Sequence, residues 1–167
     1  MTIRSATAAD LPAVDRVFRT SFCDTFGHLY PDEDLASFLG QFTPAAWQAE
    51  YDDPAFTFQV GEQDGAVLGY AKLGPVKLPH VEPRGAVELK QLYLLKQAHG
   101  TGLGPELMNW VMEQARGRGA ERLVLSVWED NHRAQAFYRR YGFVDRGPYA
   151  FMVGRQADQD RVWEAVL

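Results

Sequence analysis

The sequence predicts a mixed α/β fold, and three observations carry that prediction. Short apolar strands alternate with amphipathic stretches along the whole chain. The hairpin signal at Asp64-Gly65 sits between two alternating strands. In the second half helical stretches stand between strands, as crossovers do. With 167 residues, 46% of them hydrophobic and 23% charged, the chain has the composition of one globular domain, expected to span residues 1–167 without repeat or linker.

Taken in order, Met1 to Ser5 reads as a short strand that Thr7 ends. Thr7-Ala8-Ala9-Asp10 has the spacing of a capping box, and Leu11, Val14, Val17, Phe18 and Phe22 recur at helical spacing, so a first helix is expected to about Phe22. Gly27 and Pro31 break it, and helices follow from Asp32 to Leu39 and, more weakly, from Pro44 to Tyr51. Between Phe22 and Tyr51 aromatics (Phe26, Tyr30, Phe42, Trp47) mix with acids (Asp24, Asp32, Glu33, Asp34). That mixture suits either the wall of a cationic ligand's pocket or an exposed acidic helix face over an aromatic core.

Strands are expected at Phe56–Gly61 and Ala66–Leu73, and a loop with three prolines runs from Gly74 to Gly85. Ala86 to Leu95 is the next strand. A helix from Pro105 to about Arg118 turns Leu107, Trp110, Val111 and Ala115 inward and ends at Gly117 and Gly119. The apolar run Leu123 to Trp128 reads as a buried strand, and Asn131 to Tyr141 as a helix stopped by Gly142. Phe143-Val144, Ala150–Val153 and Val162–Leu167 supply short late strands.

The chemistry concentrates between Glu88 and Pro105, where an apolar strand meets His99-Gly100-Thr101-Gly102-Leu103-Gly104 and then a helix. Glycines at alternate positions let the backbone take positive φ and approach a ligand closely. The unpaired N–H groups of the following helix, and its dipole, suit a phosphate or diphosphate. No Gly-Lys-Ser/Thr follows, which excludes a Walker loop. A Rossmann turn belongs after the first strand with an acid closing the second, whereas this turn falls past the midpoint and Glu121 and Glu129 lie beside a strand.

Net charge is −5, which argues against a general nucleic-acid binder and is compatible with a cationic substrate. The single cysteine, Cys23, excludes an internal disulfide, and a reducing, cytoplasmic setting is expected. Met1 to Ser5 has no signal-peptide core, no apolar run approaches a membrane span, and no metal site is read.

Three pieces stand in a familiar order: the strand ending Leu92-Tyr93-Leu94, the glycine loop, and Trp128 to Phe143 with Asn131, Tyr138 and Gly142-Phe143. Together they resemble the GNAT superfamily of acyl-CoA-dependent N-acetyltransferases. That family's loop is written Gln/Arg-x-x-Gly-x-Gly/Ala, and its later helix carries Asn and, seven residues on, Tyr, the spacing of Asn131 and Tyr138. Ile3-Arg4, Thr7 and Asp10-Leu11 resemble its first strand and helix. In the register set by the last two glycines and Leu107, His99 stands where Gln or Arg is usual; Gln97 would satisfy the pattern only by shifting the helix. Val127 to Asn131, Ala136 to Tyr138 and Ser21 to Gly27 look like the PaiA-like spermine/spermidine N-acetyltransferase branch.

The resemblance implies the acyl-CoA N-acyltransferase fold, with a central, mostly antiparallel twisted sheet flanked by helices. It implies acetyl-CoA as co-substrate and direct acetyl transfer to a primary amine, with a small polyamine as first acceptor. Tyr138 would protonate the leaving sulfur. Glu88, eleven residues before His99, would take the amine proton unless it serves a salt bridge to Lys90 or Lys72. The family's alternative glutamate is replaced by Ser126, and Glu129 is a reserve. Backbone groups of Leu92, Tyr93 and Leu94 would pair with the pantetheine arm. His99, Gly100, Thr101, Gly102, Leu103, Gly104 and Pro105 would hold the diphosphate, Asn131 the arm's far side and Arg140 a phosphate. Peptide N-termini or lysines are the alternative acceptors, a non-catalytic acyl-CoA sensor is the alternative function, and a homodimer is left open.

Overall fold

Strand β4 (Ala86–Leu94) and strand β5 (Arg122–Trp128) form the one parallel pair at the middle of a seven-stranded sheet in the computed structural model, which describes Met1–Leu167. The other strands are β1 (Thr2–Ser5), β2 (Thr57–Gln63), β3 (Ala66–Gly74), β6 (Val144–Val153) and β7 (Gln156–Val166). Their order is β1-β2-β3-β4-β5-β7-β6, with every neighbouring pair but β4 and β5 antiparallel. Helices α1 (Leu11–Phe26), α2 (Asp32–Leu39) and α3 (Pro44–Asp52) cover one aromatic core, while α4 (Leu103–Gly117) and α5 (His132–Arg139) cover the other.

Local chemistry explains most of these elements. Asp10 closes a capping box with Thr7 and also takes two N–H groups of Arg4, at 2.7 and 2.8 Å, tying β1 to the start of α1. The Arg4 guanidinium holds the Asp10 carboxyl well below the usual carboxylate range. Asp64 and Gly65, at φ 52° and 77°, make the two-residue turn of the β2–β3 hairpin. The Phe18 and Phe22 rings, in contact with Phe38, Phe42 and Trp47, form the aromatic core beneath α1.

Several details differ from the sequence expectation. Helix α1 continues to Phe26, because Phe22 and Phe26 both find aromatic partners and Gly27 alone supplies the stop. Helix α4 starts at Leu103, with Gly102 as a left-handed cap, so Pro105 sits inside the first turn, where no N–H is required of it. Met108 and Met112 are buried on α4 and Trp110 only partly so. The late fragments are two long strands, β6 and β7, joined at Gly154-Arg155. Their polar residues obscured the period-2 signal.

Helix α4 sits unusually close to the sheet at its first turn. The Leu103 side chain is buried against β2 and β3, and a Cβ at Gly61 would lie 2.3 Å from its Cδ1 and one at Gly69 3.1 Å from its Cδ2. Gly61→Ala should therefore overpack this contact, lowering stability by about 1–3 kcal/mol and weakening ligand binding at the α4 mouth. Thermal melts with and without acetyl-CoA would check both effects.

Candidate active site

The β4–β5 ladder runs only from Ala86–Arg122 to Glu88–Val124. Beyond it β4 follows β3 and β5 follows β7, and a β-bulge opposite Lys72/Leu73 bends β4 away. The strands part, and a cleft of about 690 Å³ opens between them. One end lies under the glycine loop and α4; the other lies among Tyr30, Phe151, Asp158 and Asp160.

Most of the residues singled out in the sequence meet in this cleft. Leu92, Tyr93 and Leu94 line it from β4, His99, Gly100, Gly102, Gly104 and Pro105 from the loop, and Asn131, Tyr138 and Arg140 from α5 and its flanks. Thr101 and Leu103 do not line it. Thr101 Oγ1 donates to the Ala98 carbonyl at 2.7 Å, and the Leu103 side chain is packed into the core, so both anchor the loop and only their backbones face its mouth. Gly102 holds φ 95°, which turns the loop into the first turn of α4 and directs unpaired N–H groups outward.

His99 has a definite task. Its Nε2–H donates to the Leu94 carbonyl at 3.2 Å, and its Nδ1 accepts from Arg133 Nη1 at 3.1 Å, since a guanidinium can only donate. The histidine thus ends β4 and draws Arg133 to the α4 mouth. Arg133 was not foreseen in the sequence, where one arginine of the Arg133, Arg139 and Arg140 group looks like another. Arg140 rests over the Phe137 ring at 5.3 Å, and Asn131 Oδ1 caps α5 by accepting from Ala134 N–H at 3.1 Å.

Tyr138 projects from α5 to the middle of the cleft, its ring packed on Phe137 and Phe143. Burial pushes its phenol above the ordinary value, so it stays protonated at neutral pH. Tyr93 is raised by the same cause, with the neighbouring Tyr138 and Asp160 adding to it.

Glu88 does not line the cleft. Its carboxylate accepts from Lys90 Nζ and from the Lys77 N–H, each at 2.8 Å, so the salt bridge weighed from the sequence is the one formed. Glu129 likewise is not among the lining residues, and Ser126 is.

The far end holds groups missed in the sequence. Asp158 and Asp160 sit two apart on β7, on one face, in the stretch not recognised as strand. Asp158 accepts a short hydrogen bond from Tyr30, which follows α1, and burial raises its carboxyl. Burial pushes Asp160 up to about 7, with the Asp158 charge next in weight. Phe22, Thr25 and Phe26 also wall this end, whereas Asp32 and Glu33 are exposed and Asp34 is bonded to Arg155. Of the aromatics between Phe22 and Tyr51, Phe22, Phe26 and Tyr30 thus line the cleft, Phe42 and Trp47 belong to the core beneath α1, and the acids do not line it. The arrangement accepts an anion at one end, an extended hydrogen-bonding arm along β4, and a cation at the other.

Comparison with known proteins gives this arrangement its frame. The profile of the acetyltransferase (GNAT) family matches residues 16–143. An uncharacterized N-acetyltransferase in the pepI 3′ region of Lactobacillus delbrueckii subsp. lactis is 34% identical over 89% of this chain and 88% of its own. The structure of ribosomal-protein-alanine N-acetyltransferase from Brucella melitensis is similar with a TM-score of 0.76 and 28% identity, covering 100% of both chains. The PaiA N-acetyltransferase from Thermoplasma acidophilum in complex with coenzyme A has the same fold, with a TM-score of 0.78, 19% identity and 99% and 98% coverage. The loop, the parted strands and the phenol thus lie in a chain that belongs to the GNAT family of acetyltransferases.

Proposed function

We propose that this acetyltransferase moves the acetyl group of acetyl-CoA to a small cationic primary amine, spermidine or spermine being the first acceptors to test. The observation that carries the reading is the polarity of the cleft. Helix N–H groups and Arg133 stand at one end, two carboxylates at the other, and a neutral phenol between them.

The donor's diphosphate pairs with the backbone of Gly100 to Pro105 and with Arg133, and its arm runs along Leu92 to Leu94 as an added strand would. Asn131 and Arg140 border the same path. The thioester supplies the acyl group, and Tyr138, held protonated by burial, hands a proton to the departing sulfur. Asp158 and Asp160 lie about 7 Å apart, two residues along one strand face, a span that suits the two nitrogens of a diaminobutane unit with its methylenes against Phe22 and Phe26.

Two ties favour a small acceptor over a protein tail. Tyr30 is bonded to Asp158, and Arg155, in the β6–β7 turn, is bonded to Asp34 and Glu33 of α2. Gly154 packs on Asp34 so closely that a Cβ would lie 2.6 Å from its Cα. Together they tie the α1–α2 region to β7 and to the β6–β7 turn beside the acceptor end. The similarity to a ribosomal-protein-alanine acetyltransferase keeps a peptide N-terminus as the second reading.

A thiol-release assay with acetyl-CoA against spermidine, spermine, amino acids and N-terminal peptides tests the proposal. Turnover with polyamines is expected; turnover with peptides alone would replace the acceptor, and none with any amine would favour an acyl-CoA sensor. Tyr138→Phe should lower kcat by roughly 100-fold or more while leaving acetyl-CoA affinity unchanged by calorimetry. Gly102→Val places a branched side chain at a left-handed cap and should abolish measurable acetyl-CoA binding with circular dichroism unchanged.

A further inference from the structure

Neither acid at the far end of the cleft has a counter-charge, and one of them also lacks the tyrosine donor that its neighbour has. Asp160 is 8% exposed and lines the cleft, yet no lysine, arginine or backbone N–H reaches its carboxylate. The Ser126 hydroxyl, which also lines the cleft, is the group that favours its ionised form. Asp158 beside it on β7 accepts from Tyr30, and Lys90, the lysine of the lining, is occupied by Glu88, while Arg133 stands at the other end with His99. The charged and titratable groups that act on Asp160, or that feel its charge, are anionic or neutral: Asp158 on β7, Glu129 after β5, Tyr93 on β4, Tyr149 on β6 and Tyr30 after α1. Burying a carboxylate without a cation costs stability. A strand that keeps one aimed into a substrate cleft has a positive group to meet there.

We infer that Asp160 is the catalytic base of the acetyl transfer, receiving the acceptor's ammonium and taking one of its protons directly or through a single water. The inference rests on the acetyltransferase reading of the same cleft. The first proton passes from nitrogen to the Asp160 carboxylate. The nitrogen lone pair then forms the N–C bond to the thioester carbon, the C–S bond breaks, and its electrons leave on sulfur, which takes the Tyr138 proton. The second N–H proton, lost as the amide forms, restores the phenol, and Asp160 releases the first to solvent. One proton per turnover is produced, as the reaction of an ammonium requires.

The electrostatics agree with the geometry. Burial, and then the Asp158 and Glu129 charges, bring the Asp160 carboxyl up to about 7 against the opposing pull of Ser126, so it can both take and release a proton near neutrality. Glu88 is held by Lys90 and the Lys77 N–H and lies outside the lining.

The test uses the amine that the wild-type protein acetylates fastest. Wild-type kcat/KM for that amine should rise with pH through about 7. Asp160→Asn should lose that limb and about 100-fold or more in kcat, with acetyl-CoA affinity unchanged and the melting temperature at pH 8 unchanged or raised. Asp160→Glu should recover part of the rate. Independently of turnover, the ¹³C signal of the Asp160 carboxyl should titrate near neutrality and move to lower pH when the amine is added to the CoA complex. Wild-type turnover and an unchanged pH profile in Asp160→Asn would overturn the inference and leave the acetyltransferase reading intact. A wild-type protein that acetylates no amine would remove both.

Discussion

The structure depends on a ladder that stops. β4 and β5 pair for three residues each and then part, because each follows its antiparallel neighbour on the other side and β4 carries a bulge. A continuous ladder would bury this segment's backbone groups within the sheet; an interrupted one leaves a slot with hydrogen-bonding edges in the middle of a folded core. Two cores flank it, one under α1 to α3 and one under α4 and α5, so the slot is open without being soft.

Charge is distributed along that slot rather than over the surface. At the α4 mouth, helix N–H groups combine with Arg133, which His99 holds by a tautomer its two partners dictate. At the other end the carboxylates of Asp158 and Asp160 stand among aromatic rings. Such a distribution sorts anionic from cationic groups along the slot, and low solvent access strengthens both interactions. Tyr138 lies between, its proton retained by the same burial.

Tight backbone contact holds the two ends at a fixed distance. Leu103 locks the loop onto Gly61 and Gly69, where side chains would keep α4 off the sheet. Tyr30 and Arg155 draw the α1–α2 region onto β7 and the β6–β7 turn. The Tyr30 phenol gives Asp158 a hydrogen-bond donor but no counter-charge, whereas Asp160 lacks even that donor.

The sequence by itself determined the features that depend on neighbours in the chain. Helical and strand periods located five helices and the first five strands, Asp64-Gly65 marked the hairpin, and the glycines from Gly100 to Gly104 marked the turn into α4. The Asn131–Tyr138 spacing brought both residues into the cleft, since seven residues make two helical turns. Tertiary structure alone decided what distant segments do to one another. Which lysine would meet Glu88, which arginine His99 would draw in, and which of two β7 acids Tyr30 would engage are questions of register and packing across up to 128 positions. Strands β6 and β7 were legible only in pieces because their alternation is set by the cleft and the sheet edge, where polar residues face inward. Asp160 shows the reason most clearly: its sequence neighbours describe a soluble turn, and only burial beside Asp158 and Ser126 makes it an acid–base group.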